Sequence, residues 1–369
     1  MDIYKIYKIR DGVDLYLNNG ELLTIYFMNT RLRKQFKVSN LIIQIIESID
    51  GEKNIEEIHM YLENKLNKKI KFELFLEVLK KLKDLNVIIE KNEFQNKNDI
   101  SRYERQINYF SDFIKDGSNP LEMQKNISKS KILIFGCGAM GGNIAVLLAM
   151  CGVEQFIFFD YDIVQESDIS RHIYYKEKYV GIKKIDALED YLKSINKNIK
   201  VEKVDDILTP DKNVEKLIDK SDFVINTADE PYIGYTSMKI SRYCTKNKKA
   251  HFIAGGFDAH LASTGELIIP GITPCVDCYA DYFKETLKDW KPEKHPVEER
   301  YLEIGGMSCL SLFSASYACI EIIKYICGLI DIKEYKNTRG EFLFNSMDIT
   351  YLNVVRDKNC KICGDINYE

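Results

Sequence analysis

Gly136-Cys137-Gly138-Ala139-Met140-Gly141 has the spacing GxGxxG and follows an apolar run at residues 132–135. Glycines so placed let the main chain approach a phosphate, where the unpaired N–H groups and dipole of a helix N-terminus favour negative charge. Asp160 ends the next apolar run, where an acidic side chain can hold ribose hydroxyls. The pattern predicts a nucleotide site without choosing the nucleotide. A nicotinamide-dependent oxidoreductase shares it, and a tight strand-to-helix turn without a ligand also satisfies it. The second chemical signature is Cys275-Val276-Asp277-Cys278 with Cys360-Lys361-Ile362-Cys363. Either pair alone is compatible with a redox dithiol. Two knuckles so far apart favour a closed tetrahedral zinc site, and zinc, having no redox chemistry, would there be structural and pin the C-terminus to its domain.

Elements must carry these groups. Strand at 132–135, glycine turn at 136–142, helix at 143–150 and strand at 156–160 form a βαβ unit, which implies an α/β fold with a parallel sheet. Residues 223–226 and 251–254 read as later strands, and residues 308–329 as a long, largely apolar helix. Upstream, residues 14–27 alternate around Asn19-Gly20, a hairpin signal. Helical patterns follow at 41–49, 55–66 and 72–85, then a short strand at 87–89. The polar run over residues 90–99 fits an exposed linker. The expected organisation is a small α+β winged-helix-like domain over residues 1–92, a linker over 93–100, and a Rossmann-like domain over 101–369.

After Asp160, the run Tyr161-Asp162-Ile163-Val164-Gln165-Glu166-Ser167-Asp168-Ile169-Ser170-Arg171-His172, then Gly181-Ile182-Lys183-Lys184, resembles the D-x-D-x-V-x-x-S-N-x-x-R-Q … G-x-x-K pattern of the ThiF/MoeB/MccB-like superfamily. Ubiquitin-activating enzymes and the microcin C adenylating enzyme belong to the same superfamily. Arg102-Tyr103-Glu104-Arg105-Gln106 is similar to its R-Y-x-R-Q motif, and residues 222–229 to its strand ending in a catalytic aspartate, Asp229. The resemblance runs from Arg102 to Cys363 and implies ATP-dependent adenylation of a carboxylate. A carboxylate attacking the α-phosphate needs the triphosphate neutralised and the leaving pyrophosphate stabilised. By resemblance Arg171 and Lys184 contact the phosphates, Asp229 holds magnesium, and Arg105 reaches into a site, that of the other subunit in a homodimer. Gly136, Gly138, Gly141, Asp160 and Asp162 bind the nucleotide, and the four paired cysteines match the superfamily's zinc site. The chain departs from the pattern at Asp168, where Asn is usual, and at His172, where Gln is usual.

With 52 Lys+Arg against 56 Asp+Glu, a formal net charge of -4 argues against a nucleic-acid or membrane-surface protein. No transmembrane helix, secretion signal or disulfide framework is expected, which places the chain in the cytoplasm. Branches that pass the activated acyl group to a thiol often carry a cysteine in the crossover loop, and residues 279–307 contain none. Cys309, Cys319 and Cys327 read as core residues of the apolar helix, and Cys137, Cys151 and Cys244 as packed residues. The first domain resembles the PqqD-like element that recognises precursor peptides, with a strand edge to receive a leader; Lys68-Lys69-Ile70-Lys71 gives slight support to a DNA-binding alternative. The combination is similar to the microcin C type of enzyme and implies a precursor peptide with a leader as substrate in modified-peptide biosynthesis. The alternatives are adenylation of a ubiquitin-like sulfur carrier and a non-catalytic peptide-delivery scaffold.

Overall fold

The computed structural model describes residues 1–91, 102–113, 119–230, 232–254, 261–291, 306–332, 334–335 and 339–367. The expected linker at 93–100 and residues 292–305 of the crossover segment lie outside the described residues. The chain forms two compact units, Met1–Gln124 and Lys125–Glu369.

In the first unit the hairpin pairs Val13–Asn18 with Leu22–Phe27, and Asn19 (φ 52°) and Gly20 (φ 72°) supply the left-handed turn. A third strand, Leu32–Lys37, extends it to a meander. A second sheet places Ile6–Ile9 between Asp50–Asn54 and Ile88–Glu90, antiparallel to both. Helices Asn40–Glu47, Ile55–Leu66 and Phe72–Asp84 bury Ile45, Ile58, Leu62, Phe75 and Leu79 against these sheets. The middle helix starts at a reciprocal cap: Glu57 N–H donates to Asn54 Oδ1 at 2.9 Å and Asn54 N–H to Glu57 Oε2 at 2.8 Å. Arg10, 2% exposed, donates to Asp112 at 2.5 Å and lies over the Phe27 ring.

The second unit is built on a six-stranded sheet in the order Glu266–Ile268, His251–Ile253, Phe223–Asn226, Lys131–Phe135, Gln155–Phe159, Lys200–Val204. All neighbours are parallel except the first pair. Its central strands are apolar on both faces, as a sheet covered by helices requires. The chain leaves Lys131–Phe135 on one side and returns on the other with Phe223–Asn226. That reversal opens a crevice beyond the carboxyl ends of these two strands, the usual ligand position in open α/β sheets. Ala139–Met150 is buried almost all round and packs on Ser308–Ile326. The latter helix has the length and apolarity of a bilayer span, but half of it is buried in the protein. It also carries Glu321, buried and bonded to Lys324 (2.7 Å) and Tyr335 (2.9 Å), as in a core helix. A small antiparallel sheet, Leu261–Ser263, Gly340–Leu343 and Asp348–Tyr351, completes the unit beside a buried Arg339–Glu266 pair at 2.9 Å.

Candidate nucleotide site and metal centre

The glycine turn lies at the reversal crevice, and each glycine has its own reason. Gly136 has φ 85°, and a Cβ there would stand 2.8 Å from Thr227 Oγ1. A Cβ on Gly141 would lie 1.9 Å from the Gly136 carbonyl oxygen. At Gly138, which precedes the first turn of Ala139–Met150, a Cβ would meet nothing within 4 Å, and no side chain caps the helix. The close approach of main chain is thus fixed by Gly136 and Gly141, while Gly138 faces open space where helix N–H groups can receive phosphate. Gly142 is a fourth required glycine, unmarked by the motif: its Cβ would fall 1.6 Å from the Tyr174 hydroxyl oxygen.

Asp160 ties this turn to the next loop. Its Oδ2 accepts from Cys137 N–H at 2.5 Å and its Oδ1 from Asp162 N–H at 2.8 Å, and burial raises its pKa. A carboxylate has about four acceptor positions. Asp160 therefore keeps capacity for a ribose hydroxyl while shaping the loop. Asp162 in turn accepts from Lys184 Nζ at 2.9 Å, and its carbonyl from Lys184 N–H at 2.9 Å. Burial works against the charge of Lys184. The bond to Asp162 and the fields of Asp162, Asp168 and Asp160 outweigh it and hold the ammonium pKa above its ordinary value. Arg171, at the end of the short helix Glu166–Ile169, donates to Asp168 at 3.2 Å.

Behind these cations lies an aromatic floor that the motif does not mark. His172 Nδ1 is 2.6 Å from the Asp168 carbonyl oxygen, its ring packs on Tyr174 and Tyr175, and burial pushes its pKa down to about 4. The Tyr174 hydroxyl donates to the Gly138 carbonyl at 3.1 Å and that of Tyr175 to the Lys184 carbonyl at 3.2 Å. Across the crevice, buried Asn226 accepts from Ala228 N–H at 3.2 Å and donates to Thr236 and Ser237, which fixes the turn delivering Asp229. Asp229 is exposed. Enough protein surrounds its carboxyl that desolvation, with the charges of Glu230 and Asp162, raises its pKa against the pull of Lys184. Gly136, Gly138, Gly141, Asp160, Asp162, Arg171, Lys184 and Asp229 thus belong to one crevice. Arg105 stands exposed on helix Glu104–Phe110 of the first unit.

The second constellation is sulfur. Cys275 precedes helix Val276–Thr286 and Cys278 lies in its first turn, while Cys360 and Cys363 sit on a C-terminal turn. The Sγ separations are 3.9 Å (Cys275–Cys278), 3.7 Å (Cys275–Cys360) and 3.5 Å (Cys278–Cys363), and all four ligand atoms lie within 4.8 Å of one another. A tetrahedron of thiolates about 2.3 Å from zinc has edges of about 3.8 Å. The residues fit that ion. Arg242 clasps Asp277, between the first two cysteines, with bonds of 2.6 and 3.1 Å. Arg356 donates to the Gly271 carbonyl at 3.0 Å and to the Cys363 and Gly364 carbonyls at 2.5 and 3.1 Å, strapping both halves together. Cys137, Cys244, Cys319 and Cys327 are buried, but two core assignments need correction: Cys151 is only half-buried, and Cys309 is exposed because it lies on the outer side of the first turn of its helix.

Residues 103–363 match the ThiF family. The chain is 29% identical over 274 residues to the vegetative HesA protein of Trichormus variabilis, covering 72% of this chain and 90% of that protein. It is 30% identical over 326 residues to the adenylyltransferase and sulfurtransferase MOCS3 of Aedes aegypti, covering 86% of this chain and 66% of that protein. In structure it is similar to E. coli MccB solved with AMPCPP and MccA, at TM-score 0.70 and 20% identity over 97% of this chain and 99% of that one. A family match over residues 103–363, on a crevice formed by the glycine turn, Arg171, Lys184 and Asp229, has one consequence: the chain belongs to the ThiF family and is an adenylyltransferase of the ThiF/MoeB/MccB-like superfamily.

Proposed function

We propose that this adenylyltransferase activates a carboxylate of a ribosomally made precursor peptide, in the cytoplasm, as the peptidyl adenylate. The observation carrying the reading is that two cations, Arg171 and Lys184, share the Asp168 carboxylate, with the exposed carboxylate of Asp229 in the field of Lys184, in the unit whose glycine turn leaves Gly138 unobstructed. One peptide carboxylate oxygen bonds to the α-phosphorus, and the bond from that phosphorus to the pyrophosphate oxygen breaks. Arg171 and Lys184 bind the phosphate oxygens and neutralise the charge that gathers on the leaving pyrophosphate. Asp229, with Asp162 beside it, offers hard oxygen ligands of the kind magnesium takes. A magnesium ion held by these carboxylates would supply further neutralisation of the triphosphate. Asp160 and the Tyr174 and Tyr175 hydroxyls hold the turn and the Lys184 segment in place, so the site is arranged before substrate arrives. Arg105 is assigned to the site of the partner subunit in a homodimer, on the strength of the family motif.

A peptide substrate is supported by the likeness to MccB, which spans the first unit as well as the second and which has also been solved with N-formylated MccA. The first unit is assigned to leader recognition. Peptide-dependent exchange of labelled pyrophosphate into ATP tests the reading: exchange that needs the precursor peptide is expected, and exchange driven by a Gly-Gly-ending carrier protein instead overturns the peptide assignment. That second reading draws on the sulfurtransferase relatives and on the exposure of Cys309, a thiol open to an acyl group. Retention of a covalent carrier adduct by the wild type and its loss in Cys309→Ser would select it.

A further inference from the structure

Asp168 puts a carboxylate between the two phosphate-binding cations, at a position where the family pattern carries an amide. Its Oδ1 accepts from Arg171 at 3.2 Å, and its Oδ2 accepts from Gln165 N–H at 2.9 Å and lies 3.9 Å from Lys184 Nζ. The Asp168 side chain is 5% exposed, whereas that of Arg171 is 41% exposed, so the guanidinium is held on one side and open on the other. Lys184 is already engaged by Asp162 at 2.9 Å and also feels Asp160. Within the second unit, two cations therefore face four carboxylates, Asp160, Asp162, Asp168 and Asp229. His172, the remaining basic group against Asp168, is buried and adds no cation at neutral pH.

We infer that Asp168 is a positioning residue that orients Arg171 and Lys184 and makes the pocket too negative for free ATP, so that the nucleotide is accepted as its divalent-metal complex. The inference rests on the adenylation reading of the crevice. Free ATP must displace carboxylates from both cations and meet the repulsion of those that remain, while a metal-bound triphosphate brings its own neutralising charge. An amide at position 168 would keep an acceptor for Gln165 N–H, but it would turn an NH2 toward Arg171 and so remove both one negative charge and the bond that holds the guanidinium. Selection between free and metal-bound nucleotide is thereby set by charge, with the fold of the loop unchanged.

Calorimetric binding of a non-hydrolysable ATP analogue to the full chain, in EDTA and in saturating magnesium, tests this. Wild type is expected to bind at least about tenfold more weakly in EDTA. Asp168→Asn should tighten binding in EDTA by about tenfold and change it by less than about threefold in magnesium, with the same thermal unfolding midpoint. In turnover, its KM for ATP should depend less on magnesium concentration than that of the wild type. Wild type binding equally well with and without magnesium overturns the inference without recourse to any variant. A ratio left unchanged by Asp168→Asn does so too, and reduces Asp168 to a helix cap. If wild type binds no adenine nucleotide under either condition, the adenylation reading itself falls and takes this inference with it.

Discussion

Gly138 and Gly142 stand one helical turn apart and respond oppositely to a methyl group. Gly138→Ala should keep the stability of the wild type, because its Cβ meets nothing within 4 Å, but weaken ATP binding by on the order of tenfold where phosphate must approach the main chain. Gly142→Ala drives a Cβ to 1.6 Å from the Tyr174 hydroxyl and should cost about 2 kcal/mol or more. Paired unfolding and nucleotide titrations separate the two, and equal losses of stability would refute the division of labour. Asp229→Asn, exposed and free of any packing duty, should lower peptide-dependent pyrophosphate exchange by on the order of a hundredfold without moving the unfolding midpoint; unchanged exchange removes Asp229 from the reaction. At this scale the sequence was legible wherever chemistry imposed spacing, as at Gly136, Gly138, Gly141 and the four paired cysteines. It was silent on Gly142, Tyr174, Tyr175 and Asn226. Their roles come from neighbours brought up by the fold, and a tyrosine whose hydroxyl holds a glycine carbonyl looks the same in sequence as any other tyrosine.

The sulfur cluster and the sheet set the stability of individual elements. One zinc per chain is expected by metal analysis, and Cys360→Ser should release the C-terminal turn and lower the unfolding midpoint by on the order of 10 °C, with residual turnover in what stays folded. Zinc-free protein with an unchanged midpoint would exclude a structural metal. His251 pins the strand His251–Ile253 to helix Ile233–Lys246: its Nε2 lies 2.8 Å from Ser241 Oγ and its Nδ1 3.0 Å from the Lys249 carbonyl oxygen. Burial pushes its pKa from 6.5 down to about 4. The unfolded chain then binds more protons than the folded one between those two values, so stability is full above about pH 6.5 and is lost as pH falls toward 4. The loss reaches about 3 kcal/mol for this one group, and denaturant midpoints measured from pH 7 to 4.5 should decline accordingly. A midpoint rising through that window would contradict the burial of a neutral imidazole. Elements were legible where periodicity was strong, as in the hairpin around Asn19-Gly20 and the three helices after it. The strands Asp50–Asn54 and Leu32–Lys37 were not, because Asp-Gly-Glu-Lys-Asn and a stretch with three basic residues lack an apolar alternation, and pairing with Ile6–Ile9 and Leu22–Phe27 alone makes them strands.

At the scale of the whole chain, a separate compact unit accompanies a crevice whose Gly136, Asp160, Arg171, Lys184 and Asp229 all lie in the second one. Met1–Gln124 has its own core, from Tyr7 to Ile88, and contains none of those residues. A recognition unit tethered to a catalytic one raises the effective concentration of the reacting carboxylate without entering the chemistry. Removing residues 1–91 should therefore weaken precursor binding by on the order of a hundredfold while nucleotide affinity stays within about threefold of the full chain, since the turn, Asp160 and Lys184 are retained. Among the described residues Leu32–Lys37 pairs on one side only, with Leu22–Phe27, and its other edge offers a row of main-chain groups to an added strand. Affinity drawn from such a row should survive most side-chain changes in the leader but drop when proline removes a bonded N–H, with every second position sensitive. Arg33 and Lys37 share one face of that strand and are exposed, so acidic leader residues at alternate positions should gain affinity that fades with salt. Titrating a proline scan of the precursor against full-length and truncated protein resolves the matter. Equal affinity for both proteins, or an alternation missing from the scan, would remove strand addition as the mode of recognition and leave the first unit a role other than holding the leader.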